Sequence, residues 1–173
     1  MSKAAFSFAA IFAALTAAAA YQYAHANPSA PEELVNKSAP DFTLQKVGGG
    51  AISLQQLRGK IVVLDFWYRA CPWCIRAMPQ VNQLAIDFKH QNVVVLGMNV
   101  DHNEADAQAV INQFGLHYPS LRASREVVQS FGVQGYPTAI LIDQQGTIRA
   151  VHVGYTDSLH DDLSATIKSL LKS

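Results

Sequence analysis

The period of the hydrophobic positions changes several times along the chain, and each change marks an element. Residues 61–67, Ile-Val-Val-Leu-Asp-Phe-Trp, form an almost continuous apolar run rich in β-branched side chains, and 93–100 form a second. Such runs suit strands covered on both faces, as parallel strands of α/β sheets are. Between them Ile75, Met78, Val81, Leu84, Ala85 and Phe88 recur every three or four residues, so a helix with one apolar face joins the two runs. The unit is β-α-β and predicts a pair of buried parallel strands.

The same reading extends to both sides. Residues 42–44 and 52–54 flank Gly48-Gly49-Gly50 and predict a short hairpin, and Ala107, Val110, Ile111 and Phe114 predict a helix stopped by Gly115. Val127, Val128 and Phe131 predict a short helix that starts after Ser124 and stops at Gly132. Residues 138–142 and 147–153 read as strands joined across Asp143-Gln144-Gln145-Gly146. Leu159, Leu163, Ile167 and Leu170 predict the last helix, with Asp161 and Asp162 in its first turn and Lys168 and Lys172 in its last, as the helix dipole favours. The predicted order is a hairpin, then β-α-β-α-α-β-β-α. The fold class is α/β, a central mixed sheet flanked by helices.

Residues 1–26 fit none of these periods. Lys3, the Ala-rich run 4–20 and Ala24-His25-Ala26 read as a signal peptide cut before Asn27. With no twin-arginine pair, this predicts general secretory export to the periplasm or another extracytoplasmic space, the alternative being an uncleaved membrane anchor. Residues 27–37, with two prolines and no period, read as a flexible lead, and 38–173 as one domain. Cleavage would leave 147 residues with 12 basic and 13 acidic side chains. Such a balance offers no field for nucleic acid, and a monomer is the expectation. Two cysteines cannot build a disulfide framework or close a four-ligand zinc site, and the six histidines show no ligand spacing, so no metal or organic cofactor is expected.

The chemistry gathers at Cys71-Pro72-Trp73-Cys74, where the first buried strand ends and the first long helix begins. A helix N-terminus stabilises an anion, which lowers a thiol pKa and makes a nucleophile. Cys71, at the edge of the turn, is the expected attacking thiol and the more exposed one. Cys74, a turn further in, is the expected resolving thiol, and the spacing allows a disulfide. Arg69 and Arg76 add positive charge nearby. Asp65 interrupts the apolar strand six residues earlier, and burial should raise its pKa and let it carry the proton of Cys74. Tyr136-Pro137 directly precedes the third long strand. Trp67 and Met78 read as core.

Taken together, Leu64-Asp65-Phe66-Trp67, Cys71-Pro72-Trp73-Cys74, Pro79 and Gly135-Tyr136-Pro137-Thr138 resemble the thioredoxin superfamily. Ala39-Pro40-Asp41-Phe42-Thr43-Leu44 and Leu141-Ile142-Asp143-Gln144-Gln145-Gly146 are similar to its exported thiol:disulfide oxidoreductases of the TlpA/ResA type. The resemblance covers about residues 38–172 and implies a thioredoxin fold with an added N-terminal hairpin. It further implies a cis Pro137 beside the dithiol, a peptide groove including Tyr136 and Trp73, a helix kink at Pro79, and Asp65 as acid/base. Ala70 replaces the tryptophan usual before the first cysteine, and no acidic residue lies between the cysteines. The activity implied is disulfide exchange with protein thiols, in the reductase direction, supplied with electrons by a donor such as a membrane thiol oxidoreductase. The positive surroundings of Cys71 predict a potential less reducing than thioredoxin's approximately −270 mV and nearer the glutaredoxin range of approximately −200 to −230 mV. The rival readings are a thiol peroxidase, against which Tyr68 stands where that chemistry carries a threonine, and a client-binding module without turnover.

Overall fold

The computed structural model describes residues 28–172, so the signal peptide and its cleavage site lie outside the described residues. Around the triple glycine, strands β1 (Thr43–Gln45) and β2 (Ala51–Ser53) pair antiparallel with Leu44 opposite Ile52. Gly48, Gly49 and Gly50 all take positive φ, a backbone state that side chains disfavour, which is why this turn is written in glycine. The chain continues through β3 (Ile61–Trp67), α1 (Pro72–Asp87), β4 (Val93–Asn99), α2 (Glu104–Phe114), β5 (Ser120–Arg122) and α3 (Arg125–Ser130). It ends with β6 (Thr138–Ile142), β7 (Ile148–Val153) and α4 (Leu159–Leu170).

The five-stranded sheet has the order β5-β4-β3-β6-β7, with β3, β4 and β5 parallel and β6 and β7 antiparallel to their neighbours. This is the mixed sheet flanked by helices, with a separate N-terminal hairpin, that the thioredoxin resemblance implies.

Strand β3 organises both layers because successive side chains point to opposite faces. Val62, Leu64 and Phe66 enter a core with Phe42, Leu44, Leu96, Met98, Phe131 and Ile140. Ile61 and Val63 face the other way, against Ala77, Val81 and Leu84 of α1 and Leu163 and Ile167 of α4. Trp67 continues that second face into a smaller cluster with Cys71, Cys74, Met78, Ala107 and Val110. Asp65 belongs to the same alternation and falls between the two groups, under the helix that carries the cysteines.

One expectation needs correction. The strand β5 is absent from the predicted order, because three residues are too short to show a period; it forms since Gly97, Met98 and Asn99 of β4 offer a free parallel edge and Leu121 is fully buried there. The described residues 28–37 of the segment read as a lead make contacts of their own with the domain. Pro31–Leu34 make a 3₁₀ turn with Pro31 and Leu34 buried. The Asn36 N–H donates to the Ile148 carbonyl at 2.8 Å, Ile148 N–H to the Lys37 carbonyl at 3.0 Å, and Ala39 N–H to the Gly146 carbonyl at 2.9 Å. The start of β7 thus satisfies this backbone, and Leu34 anchors it in the core.

Candidate active site

Cys71 is the N-cap of α1, with extended backbone (φ −91°, ψ 103°), and Pro72 follows in the first turn, where its missing N–H costs no helical bond. The Cys74 N–H donates to Cys71 Sγ at 3.0 Å, so the sulfur occupies the position of a capping oxygen. No acidic residue stands in this first turn. Cys71 and Cys74 are joined by a disulfide with Cα atoms 5.2 Å apart, within the ordinary range. Both are nearly covered in the oxidised protein, Cys71 at 3% exposure and Cys74 at 1%. Pro79 lies inside α1 and has no N–H to offer the Ile75 carbonyl.

Two aromatic pairs lie in the segments around the disulfide. The Tyr136–Pro137 peptide bond is cis, Pro137 is buried, and its carbonyl accepts from Gly154 N–H at 2.8 Å. The Tyr136 ring meets Tyr68 edge-on at 5.3 Å and packs against the cluster that contains both cysteines. Trp73, 55% exposed, stacks on Tyr155 at 5.8 Å, with the Arg76 guanidinium 4.8 Å from the Tyr155 ring and 5.9 Å from that of Trp73. Tyr155 carries no signal in the sequence beyond being aromatic; its place follows from the loop that leaves β7 beside Pro137.

Asp65 is 2% exposed, opposite Gly97 of β4 and Ala139 of β6. Burial pushes its pKa from 3.8 up to about 7, while a hydrogen bond from the Tyr118 hydroxyl, 3.4 Å from Oδ2, works in the opposite direction. Tyr118 itself is buried, and desolvation together with the neighbouring carboxylate holds its phenol well above its usual pKa, so it remains a donor. Sequence reading missed Tyr118, which lies 53 positions from Asp65 in a loop without periodicity. Gly97 completes the arrangement by close approach. A Cβ there would come within 2.5 Å of Ser120 Oγ and 2.8 Å of Trp67 Nε1, both buried polar atoms, and 3.2 Å of the Tyr118 ring.

The arginines behave differently from expectation: Arg69 pairs with Asp106, and Arg76 lies over the aromatic stack with Asp157 3.9 Å away. His160 bridges Asp87 Oδ2 at 2.9 Å and Asp161 Oδ1 at 3.0 Å, and among the described residues no group of three His, Cys, Asp or Glu side chains gathers as metal ligands. No helix of the described residues is long and apolar enough to cross a membrane.

Known proteins show the same arrangement of sequence and fold. A profile of the AhpC/TSA family matches residues 35–151. The thiol-disulfide oxidoreductase ResA of Halalkalibacterium halodurans is 33% identical over 134 residues, 76% of each chain. The thioredoxin-like protein YneN of Bacillus subtilis is 31% identical over 120 residues, 68% of this chain and 71% of that one. Among solved structures, a thiol:disulfide interchange protein of the thioredoxin family from Chlorobium tepidum superposes with a TM-score of 0.70 at 26% identity, covering 78% of this chain and 95% of the other.

Proposed function

This chain belongs to the AhpC/TSA family and is a thiol:disulfide oxidoreductase; we propose that it is exported and reduces protein disulfides through Cys71 and Cys74. The observation that carries the reading is the disulfide set at the start of α1, with the Cys74 N–H donating to Cys71 Sγ. In the reduced protein the same helix start favours a Cys71 thiolate.

The steps follow from the positions. The Cys71 thiolate attacks one sulfur of a client disulfide, the other client sulfur leaves as a thiolate and takes a proton, and a mixed disulfide remains. Asp65, under α1 and with its pKa near 7, accepts the proton of Cys74. The Cys74 thiolate then attacks Cys71 Sγ, the second client thiolate is released, and the Cys71–Cys74 disulfide is formed. Two electrons and two protons from a thiol donor, such as a membrane thiol oxidoreductase, return the pair to the reduced state. Tyr136, which packs against the cluster that holds both cysteines, Pro137 next to it and Trp73 between the cysteines in the chain are the surfaces a client chain meets first.

The reading is tested by trapping. With a disulfide-containing peptide, the Cys74→Ser variant should accumulate a mixed disulfide on Cys71, and Cys71→Ser should form none. Hydrogen peroxide oxidising Cys71 faster than the peptide does would favour a thiol peroxidase instead. Full cellular activity of Cys71→Ser would favour a client-binding module. Export is tested by intact mass: the protein recovered outside the cytoplasm should begin at Asn27, and a mass that retains the apolar run would show an anchor.

A further inference from the structure

On the Tyr136 side of the dithiol an open groove of about 860 Å³ runs between the ends of β4 and β5, strand β1 and helix α3. Leu44, Val100 and Val128 make part of its wall apolar, and Tyr136 connects it to the cysteines. The charges along it are unequal. Arg122, Arg125 and His102 line the groove, against a single carboxylate, Asp101. That carboxylate is already engaged, accepting from the Arg69 backbone N–H at 2.9 Å and from Asn99 Nδ2 at 2.7 Å.

Arg122 meets Glu104 Oε2 at 3.5 Å, but Glu104 also accepts from Gly48 N–H at 3.0 Å. The Arg122 side chain remains 48% exposed, and a guanidinium has five N–H donors, so one such contact leaves most of them turned to water. Arg125 is exposed and pairs with no carboxylate of the described residues, and the neighbouring Glu126 does not line the groove. An apolar wall beside unspent guanidinium donors suits an extended polypeptide that carries carboxylates, since Arg binds carboxylates through paired N–H bonds.

We propose that this groove receives the client segment next to the cysteine under attack, and that Arg122 and Arg125 select clients with Asp or Glu in that segment. The inference rests on the disulfide-reductase reading and gives that site its substrate class. Tyr136 fixes the geometry: a chain whose sulfur reaches Cys71 past Pro137 continues across Tyr136 into the groove. Because both guanidinium groups lie on its exposed rim, the preference acts on encounter and docking and is weakened by salt.

The test uses the reduced full chain and two synthetic peptides with the same disulfide, one flanked by Asp and Glu, the other by Ser and Gln. Second-order rates should favour the acidic peptide by about five-fold at low salt, the scale of two exposed ion pairs, with the ratio shrinking at high salt. In the Arg122→Gln, Arg125→Gln double variant the ratio should fall to about one. A small aromatic disulfide, too short to enter the groove, measures the dithiol alone and shows whether the variant is intact. An acidic peptide no faster than the neutral one, or a preference that survives the double substitution, overturns the assignment. If wild-type protein reduces the small disulfide but neither peptide, the protein-reductase reading falls and takes the groove's role with it.

Discussion

Asp65 is a carboxyl held at 2% exposure between two strands, and replacing it with asparagine separates its cost from its use. The pKa moves from 3.8 to about 7 on folding, chiefly through desolvation. At about 1.4 kcal/mol per pH unit, that difference corresponds to roughly 4 kcal/mol of lost stability when the folded group is ionised. Below pH 3.8 both folded and unfolded chains hold the proton, and the penalty is absent. From there to about pH 7 the folded protein keeps a proton that the unfolded chain has released, so stability falls as pH rises; above about 7 the whole penalty is in force.

The amide introduced by Asp65→Asn keeps the shape of the carboxyl and does not titrate. Urea unfolding of the oxidised wild type and of Asp65→Asn, from about pH 4 to about pH 9, should give a difference that grows in favour of the variant as pH rises and levels off above neutrality. Its slope should approach but not exceed about 1.4 kcal/mol per pH unit. The variant, more stable in alkali, should nevertheless release mixed disulfides more slowly, by about 10²-fold, with first attack by Cys71 nearly intact. A stability difference constant across the range would show that Asp65 titrates as an ordinary carboxylate, and the proton transfer assigned to it would fall. Equal slowing of attack and release would place its effect in packing.

Other outcomes follow from the same geometry. In the reduced protein, alkylation at about pH 6 should modify Cys71 before Cys74, because the helix start favours its anion; the opposite order would exchange their roles. Tyr118→Phe removes the hydroxyl that donates to Asp65, so the pKa seen in the pH profile of mixed-disulfide release should rise, by less than about one unit given a bond as long as 3.4 Å, and an unchanged profile would disconnect Tyr118 from the site. Gly97→Ala should lower unfolding stability by about 1–3 kcal/mol, since its Cβ meets Ser120 Oγ and Trp67 Nε1 inside contact distance; a neutral result in urea unfolding would mean that β4 and β5 separate easily.

Legibility in the sequence followed the range of the interactions involved. The β-α-β unit and the last helix are long enough to repeat a period several times, and their predicted extents match Ile61–Trp67, Pro72–Asp87 and Leu159–Leu170 closely. The cysteines are readable because strand end, helix start and dithiol are adjacent in the chain. Asp65 can be suspected from its apolar neighbours, yet the group that bonds it cannot, because Tyr118 is brought to it only by the crossover between β4 and β5. Ser120–Arg122 and Pro31–Leu34 escape a local reading for a related reason. The first is a three-residue strand paired with Gly97–Asn99, and the second a single turn held by the burial of Pro31 and Leu34 and by the bonds that the following Asn36 and Lys37 make with Ile148, so local pattern carries no record of either.

The partners of the arginines alter the redox balance. Arg69 and Arg76, counted from the sequence as support for a Cys71 thiolate, are drawn toward Asp106 and toward the Trp73–Tyr155 stack and Asp157. What remains to favour the anion is the helix start itself, with the Cys74 N–H and a first turn free of acidic residues. A dithiol is a strong oxidant when its reduced form is strongly stabilised, as in DsbA at approximately −120 mV. Drawing two cations away weakens that stabilisation and shifts the expected potential toward the reducing side of the glutaredoxin range. A measured potential on the reducing side of the glutaredoxin range would fit the proposed reductase direction, and one near that of DsbA would count against it.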